Sequence, residues 1–261
     1  MTTVFAIGCH EGIIMASDTQ YTGRFREKGN KTWELRDNMI LGCAGFNTYN
    51  YLFWRRLRDA FDKKADITLP DRIDLGIHSY NSEIHRRNKV TFYTKGEIDY
   101  RCYPEAIVAG YDEGLSAFVM FKVNPPDSCE EVEYHNLRAA VGTGGDAATV
   151  FLKTIEDVMG QQGVEYSELS WRLIAQLSYV LLHRISFIDP HSSGTTILRL
   201  KRDDYDVLKR KDIFRGTTYS SQFSEFIGLA IEEVGSKRVG KFLKDLGIPD
   251  MLGRALGGGS S

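Results

Sequence analysis

The residue with the most chemical promise stands at position two. A threonine hydroxyl is a poor nucleophile at neutral pH unless a base takes its proton. An N-terminal threonine has a base built in, its own α-amine, with an unperturbed pKa of about 7.7–8.0. Removal of Met1 would leave Thr2-Thr3-Val4 at the start of the chain, and methionine before a small residue is a favourable context for that removal. Taken alone, a Met-Thr start is far more often an ordinary strand-leading threonine. Other chemistries find less support. Four cysteines (Cys9, Cys43, Cys102, Cys129) are scattered without CxxC spacing and read as free thiols rather than a zinc site. The six histidines are dispersed, and His10 and His191 are read as surface or core side chains. No HExxH or dinucleotide fingerprint occurs, and GTGGD at 142–146 lacks the lysine of a phosphate loop. No metal or cofactor is called for.

The elements around Thr2 have to position it. Short β-rich runs at 4–8 and 12–17, separated by Cys9-His10-Glu11, predict two strands. The polar stretch 18–30 reads as loop or edge structure. Runs at 31–35 and 39–44, divided by Arg36-Asp37-Asn38, predict a hairpin, and four strands so close together favour one antiparallel sheet over βαβ units. From 47 to 64, Tyr51, Trp54, Leu57, Arg58 and Phe61 recur at helical spacing. Pro70 and Asp71 open a second helix with Ile73, Ile77, Tyr80 and Ile84 on one face. Strands are expected at 90–93, 106–110, 115–123 and about 131–141, with a turn at Asn124-Pro125-Pro126-Asp127.

Two more helices follow. One covers 146–159, apolar at Val150, Ile155 and Val158. The other covers 167–185, capped by Ser167 before Glu168 and carrying Leu169, Leu173, Leu177 and Leu181. Strands at 195–200 and 205–208 close the pattern. Strands, two helices, strands, two helices, strands: this order fits an α+β fold, a four-layer αββα sandwich in which each sheet faces the other sheet and a helix pair. Residues 1–215 form the main domain. A helical C-terminal extension is expected at 216–256, with Phe223, Phe226 and Leu229, then Val239, Phe242, Leu243 and Leu246, as its apolar faces. Residues 257–261 read as a flexible end or an expression remnant.

With 261 residues, 42% of them hydrophobic, the chain can bury one large core or two smaller ones. Its 33 basic and 35 acidic residues nearly cancel, which argues against a nucleic-acid partner or electrostatic membrane binding. No apolar run approaches the roughly 18 residues that span a bilayer, and the start lacks the basic and apolar regions of a secretory signal. A soluble, cytoplasmic protein is expected.

Beyond these patterns, TTVFAIGCHEGIIMASDTQYT resembles the start of proteasome β-type subunits: a double threonine, a strand, a glycine-closed turn, and a second strand ending in aspartate. In that family the aspartate lies sixteen residues after the nucleophile, the interval from Thr2 to Asp18. Aligning Ala44-Gly45 with the family's Ala-Gly pair puts Lys31 on its catalytic lysine, with one residue lost between them. AVGTGGDAA at 140–148 is similar to the family's strand-to-helix turn, with Thr143 in place of a serine. FIDPHSSGTT resembles its Asp-x-x-Ser-Gly segment. Asp189 fits the aspartate; Ser192 keeps the distance and Ser193 keeps the Ser-Gly pair, and Ser193 is preferred. The resemblance covers roughly residues 2–208.

By this resemblance, Thr2 attacks the scissile carbonyl and its amine takes the hydroxyl proton through a water. Lys31 lowers the amine's pKa, Asp18 holds Lys31, and the Gly45 N–H stabilises the oxyanion. Thr143, Asp189 and Ser193 orient the N-terminus. Tyr21, Gly29, Cys43 and Asn47 line the primary specificity pocket, where Tyr21 is larger than the family's usual residue. The resemblance implies a threonine peptidase in a self-compartmentalising ring or spiral oligomer. Peptides or unfolded proteins would be its substrates, and an ATP-dependent unfoldase is left open as a partner. The bare Met1 before Thr2, the polar loop 19–30 and the long helical tail resemble a divergent prokaryotic branch, Anbu-like or akin to the bacterial peptidase that serves an unfoldase. An N-terminal-nucleophile amidohydrolase or transpeptidase, and an inactive structural subunit, are the alternatives.

Overall fold

The computed structural model describes residues 2–22, 26–36, 38–63, 67–95, 102–125, 129–132, 138–160, 164–188, 194–235, 237 and 239–240. The first half runs β1 (Val4–Cys9), β2 (Gly12–Ser17), β3 (Gln20–Thr22), β4 (Arg26–Lys28), β5 (Thr32–Glu34) and β6 (Met39–Ala44). Helices α1 (Asn47–Lys63) and α2 (Leu69–Lys95) follow, then β7 (Glu105–Asp112), β8 (Ala117–Val123), β9 (Cys129–Glu131) and β10 (Arg138–Val141). Next come α3 (Gly145–Gly160), α4 (Trp171–Ile188), β11 (Thr196–Leu200), β12 (Tyr205–Leu208), α5 (Arg210–Ile213) and α6 (Tyr219–Val234). Two antiparallel five-stranded sheets result, β10-β1-β2-β11-β12 and β5-β6-β7-β8-β9, with β3 and β4 paired as a separate hairpin.

Alternation along the strands explains how these parts stack. Every residue of β1 and β2 is buried, and successive side chains enter two different cores, as the two-residue repeat of a strand requires. Val4, Ala6, Ile13 and Met15 join one apolar cluster, while Phe5, Ile7, Ile14 and Ala16 join another with α3, α4 and α6. From the other sheet, Ile40, Ala44, Ile107 and Ala109 enter the first of these clusters. Leu41, Cys43, Ala106 and Val108 enter a third, with α1 and α2. The sheets thus share a core and turn their outer faces to helices, so central strands read as continuous apolar runs although their partners are antiparallel.

Several expectations meet a different outcome. The four early strands do not form one sheet: β1 and β2 belong to one, β5 and β6 to the other, and the polar stretch between them contains the β3–β4 hairpin. The run expected as one strand at 131–141 overlaps the last residue of β9 in one sheet and supplies β10 to the other. Residues 90–93, expected as a strand, lie in α2. Val-Thr-Phe-Tyr favours strands locally, but extending an established helix avoids the cost of nucleation, and that prevails. Ser167 sits in a 3-10 turn (Tyr166–Glu168) instead of capping α4. Ser170 takes that role, its Oγ accepting the Leu173 N–H at 3.2 Å. Tyr51 and Val150 are exposed; Phe53, Leu57 and Phe61 in α1, and Leu152 and Ile155 in α3, form the buried faces. The second helix does bury Ile73, Ile77, Tyr80 and Ile84 as expected.

The extension is anchored to the body. Phe223, Phe226, Ile227 and Ala230 of α6 share the apolar cluster of α4 and the outer face of β1 and β2. The Glu233 carboxylate accepts the Ser170 N–H at 3.0 Å, so α6 helps cap α4 where backbone donors lack helical partners. Among the described residues, no helix is long and apolar enough to cross a membrane. Positions 126–127, 242, 243 and 246, assigned to a turn and to the tail, lie outside the described residues.

Candidate active site

Two ladder ends build the site. Thr3 precedes β1, and its carbonyl accepts the Asp18 N–H at 3.1 Å, so the β1–β2 ladder runs one pair past the strands. Asp18 returns the contact: its Oδ1 accepts the Thr3 N–H at 2.7 Å. On the second sheet, the Cys43 N–H donates to the Lys31 carbonyl at 2.9 Å, extending the β5–β6 ladder back to Lys31. The chain between is an excursion that closes on itself. At the neck of the β3–β4 hairpin, the Gly29 N–H donates to the Thr19 carbonyl at 2.9 Å, which brings the two ladder ends together. Lys31 Nζ then donates to Asp18 Oδ2 at 2.6 Å, with side-chain exposures of 0% and 1%. Burying two charges is unfavourable unless they meet at close range and their remaining sites are bonded. Asp18 meets that condition by using one oxygen for Lys31 and the other for the Thr3 amide.

A third strand end completes the cluster. The Thr2 N–H donates to Thr143 Oγ1 at 3.3 Å, and the Gly144 N–H donates to the Thr2 carbonyl at 3.4 Å. The turn is closed by the Gly145 N–H on the Gly142 carbonyl at 2.7 Å. Gly142 has φ +89°, and a Cβ there would overlap the Thr2 carbonyl oxygen and come within 2.8 Å of the Ala44 Cβ. Only glycine fits between Thr2 and the end of β6. Thr2 itself is buried, whereas Thr143 and Gly45 are exposed. Gly45 has φ +136°, and the Asn50 Nδ2 donates to its carbonyl at 3.5 Å. Thr2, Asp18, Lys31, Thr143 and the Ala44-Gly45 step, the residues the resemblance singles out, are thus gathered where the sheets meet.

The remaining candidates are placed as follows. Cys43 is wholly buried in the cluster under α1 and α2, and burial pushes its thiol well up from the usual cysteine range. Asn47 is exposed at the first position of α1, and Gly29 is half-buried at the hairpin neck. Tyr21 lies in β3, with its side chain outside the described residues, as are Asp189, Ser192 and Ser193 entirely. Among the described residues no three His, Cys, Asp or Glu side chains gather as a metal-binding group. An open cavity of about 890 Å³, lined by Phe61, Leu69, Arg72 and Asp112, lies at the Asp112 end of β7, away from this cluster.

Sequence reasoning missed one participant. Glu105 opens β7, pairs in register with Ala44, and accepts the Gly142 N–H on its Oε2 at 2.7 Å. Nothing local marks it, since 37 residues separate the partners. Comparison of the chain with models of known protein families gives no match, and comparison with curated proteins gives none either.

Proposed function

We propose that this chain is an N-terminal-nucleophile hydrolase of proteasome type, a threonine peptidase that acts once whatever precedes Thr2 has been removed. The observation that carries the reading is the Asp18 carboxylate, shared between the Thr3 amide and the buried Lys31 ammonium one residue from the nucleophile. A buried ammonium there favours the neutral, basic form of a free Thr2 amine. The amine, through a water, takes the proton of the Thr2 hydroxyl as Oγ1 attacks the scissile carbonyl, giving an ester acyl-enzyme and releasing the leaving amine. A water then attacks the ester and frees Thr2. The N–H of Gly45, an exposed residue with no side chain, is the oxyanion donor in this reading. The bond from the Thr2 N–H to Thr143 Oγ1 suits a hydroxyl that orients the amine.

The two sheets between outer helices support the αββα sandwich of the same superfamily. Its members self-assemble, and this reading extends to a ring or spiral oligomer in the cytoplasm, acting on peptides or unfolded protein, with an ATP-dependent unfoldase as a further partner. Intact mass and N-terminal sequencing establish whether Thr2 is the first residue of the mature protein. Digestion of casein and of a fluorogenic peptide panel by wild type and Thr2→Ala then tests the nucleophile. A mature chain with a blocked or preceded Thr2, or a Thr2→Ala variant as active as wild type, refutes the proposal. Joining of a defined peptide pair without net cleavage would redirect it to transpeptidation.

A further inference from the structure

Resting on that reading, we propose that Glu105 is a positioning residue of the Thr2 centre, clamping the Gly142–Gly145 turn from the opposite sheet. The Thr2 cluster draws on both sheets, and polar contacts cross between them there. One is the buried Lys31–Asp18 pair. Another is the bond from the Gly142 N–H, just beyond β10, to the Glu105 carboxylate on β7 at 2.7 Å. The consequence of the second contact follows from what surrounds Gly142. Its backbone is wedged between the Thr2 carbonyl and the Ala44 Cβ, and the next residue, Thr143, receives the Thr2 N–H. Gly144, one further on, donates to the Thr2 carbonyl.

A hydrogen bond to a carboxylate is roughly twice as strong as one between neutral groups. Glu105 places that stronger bond on the first residue of the turn. Its strand position opposite Ala44 fixes the carboxylate relative to Gly45, so one side chain sets the spacing between the amine-orienting hydroxyl and the oxyanion donor. Glu105 is exposed and joins no salt bridge among the described residues, so the contact with Gly142 is not a by-product of ion pairing or core packing.

The test compares Glu105→Ala with Glu105→Gln, which keeps an acceptor oxygen, in the full mature chain. Peptide cleavage is measured with the best fluorogenic substrate, and amide hydrogen exchange is followed by mass spectrometry on a fragment spanning 141–145. The expected result for Glu105→Ala is a kcat about tenfold lower with KM unchanged, the signature of lost alignment and not of lost binding. Exchange in the 141–145 fragment should rise with it, and Glu105→Gln should restore most of both. If wild type cleaves peptides and Glu105→Ala matches it in kcat and in exchange, the positioning role is overturned while the Thr2 reading stands. If wild type cleaves nothing and its Thr2 is free, the Thr2 reading falls, and the role of Glu105 with it.

Discussion

Replacing Asp18 with asparagine separates charge from shape at the centre of the site. The asparagine carbonyl still accepts the Thr3 N–H, now held at 2.7 Å, but the Lys31 ammonium loses the carboxylate 2.6 Å away. With both side chains essentially without exposed surface, water cannot replace the missing charge. Breaking a buried pair by removing one partner costs about 3–5 kcal/mol. A folded domain has a total stability of about 5–15 kcal/mol, so the loss is a large fraction of it. Lys31→Met should cost a similar amount, because it strands the carboxylate. The double variant Asp18→Asn/Lys31→Met leaves no charge at either position and should recover most of the loss, giving a coupling energy of about 3 kcal/mol in the cycle. Urea unfolding at pH 7 and equal protein concentration, followed by tryptophan fluorescence, reads all four proteins. With slopes of about 1–3 kcal/mol/M, each single variant should lower the midpoint by about 1 M or more. Single variants within about 1 kcal/mol of wild type, with additive effects in the double, would mean the pair is solvated, and the electrostatic argument for Thr2 would fail.

Gly142→Ala should abolish peptide cleavage and lower stability by at least about 1–2 kcal/mol from backbone conformation alone, before the overlap with Thr2 is added; thermal melts and the fluorogenic assay check both. Native protein at pH 8 should react slowly with a thiol-specific disulfide reagent at Cys9, Cys43 and Cys129, because burial foremost pushes these thiols up, to about 11 for Cys9 and Cys129. All four cysteines should react at once in guanidinium, and rapid stoichiometric labelling of native Cys43 would contradict the buried placement. Burial, aided by the Arg184 charge, holds the His183 imidazole below the usual histidine range. The unfolded chain then binds a proton that the folded one takes up only at lower pH, so His183 adds stability above its unfolded pKa that is lost as pH falls below about 6.5. His183→Gln should flatten that part of the stability profile.

What could be read from the sequence followed the range of the interactions concerned. The β1–β2 hairpin and the apolar face of α2 are local, and period and turn residues reveal both. Thr2, Asp18 and Lys31 were named through the resemblance to proteasome β-type subunits and not from local pattern, and short ladders bring the three together in the fold. The division of the early strands between two sheets was not legible, since the alternation of Val4 and Phe5 looks the same whichever layer each side enters. Residues 90–93 misled through local preference, which the preceding helix overrode. Ser167 misled because two serines three residues apart both suit a cap, and the contact from Glu233 of α6, 63 residues away, singles out Ser170. Glu105 was hidden for the same reason: its partner lies on the other sheet.

The division of the cluster between the sheets bears on when the chain can become reactive. Asp18 hangs from the end of one ladder and Lys31 from the end of the other; the hairpin neck brings them near, and their pair is buried once the sheets are seated. A partly folded chain with both hairpins formed but the sheets apart would have a solvated lysine and an ordinary threonine. On the proposed reading such a chain is harmless to itself and to its neighbours during synthesis. On that reading docking of the layers would be the safety catch, and mild heating that lets one layer slip should stop peptide cleavage before either sheet melts.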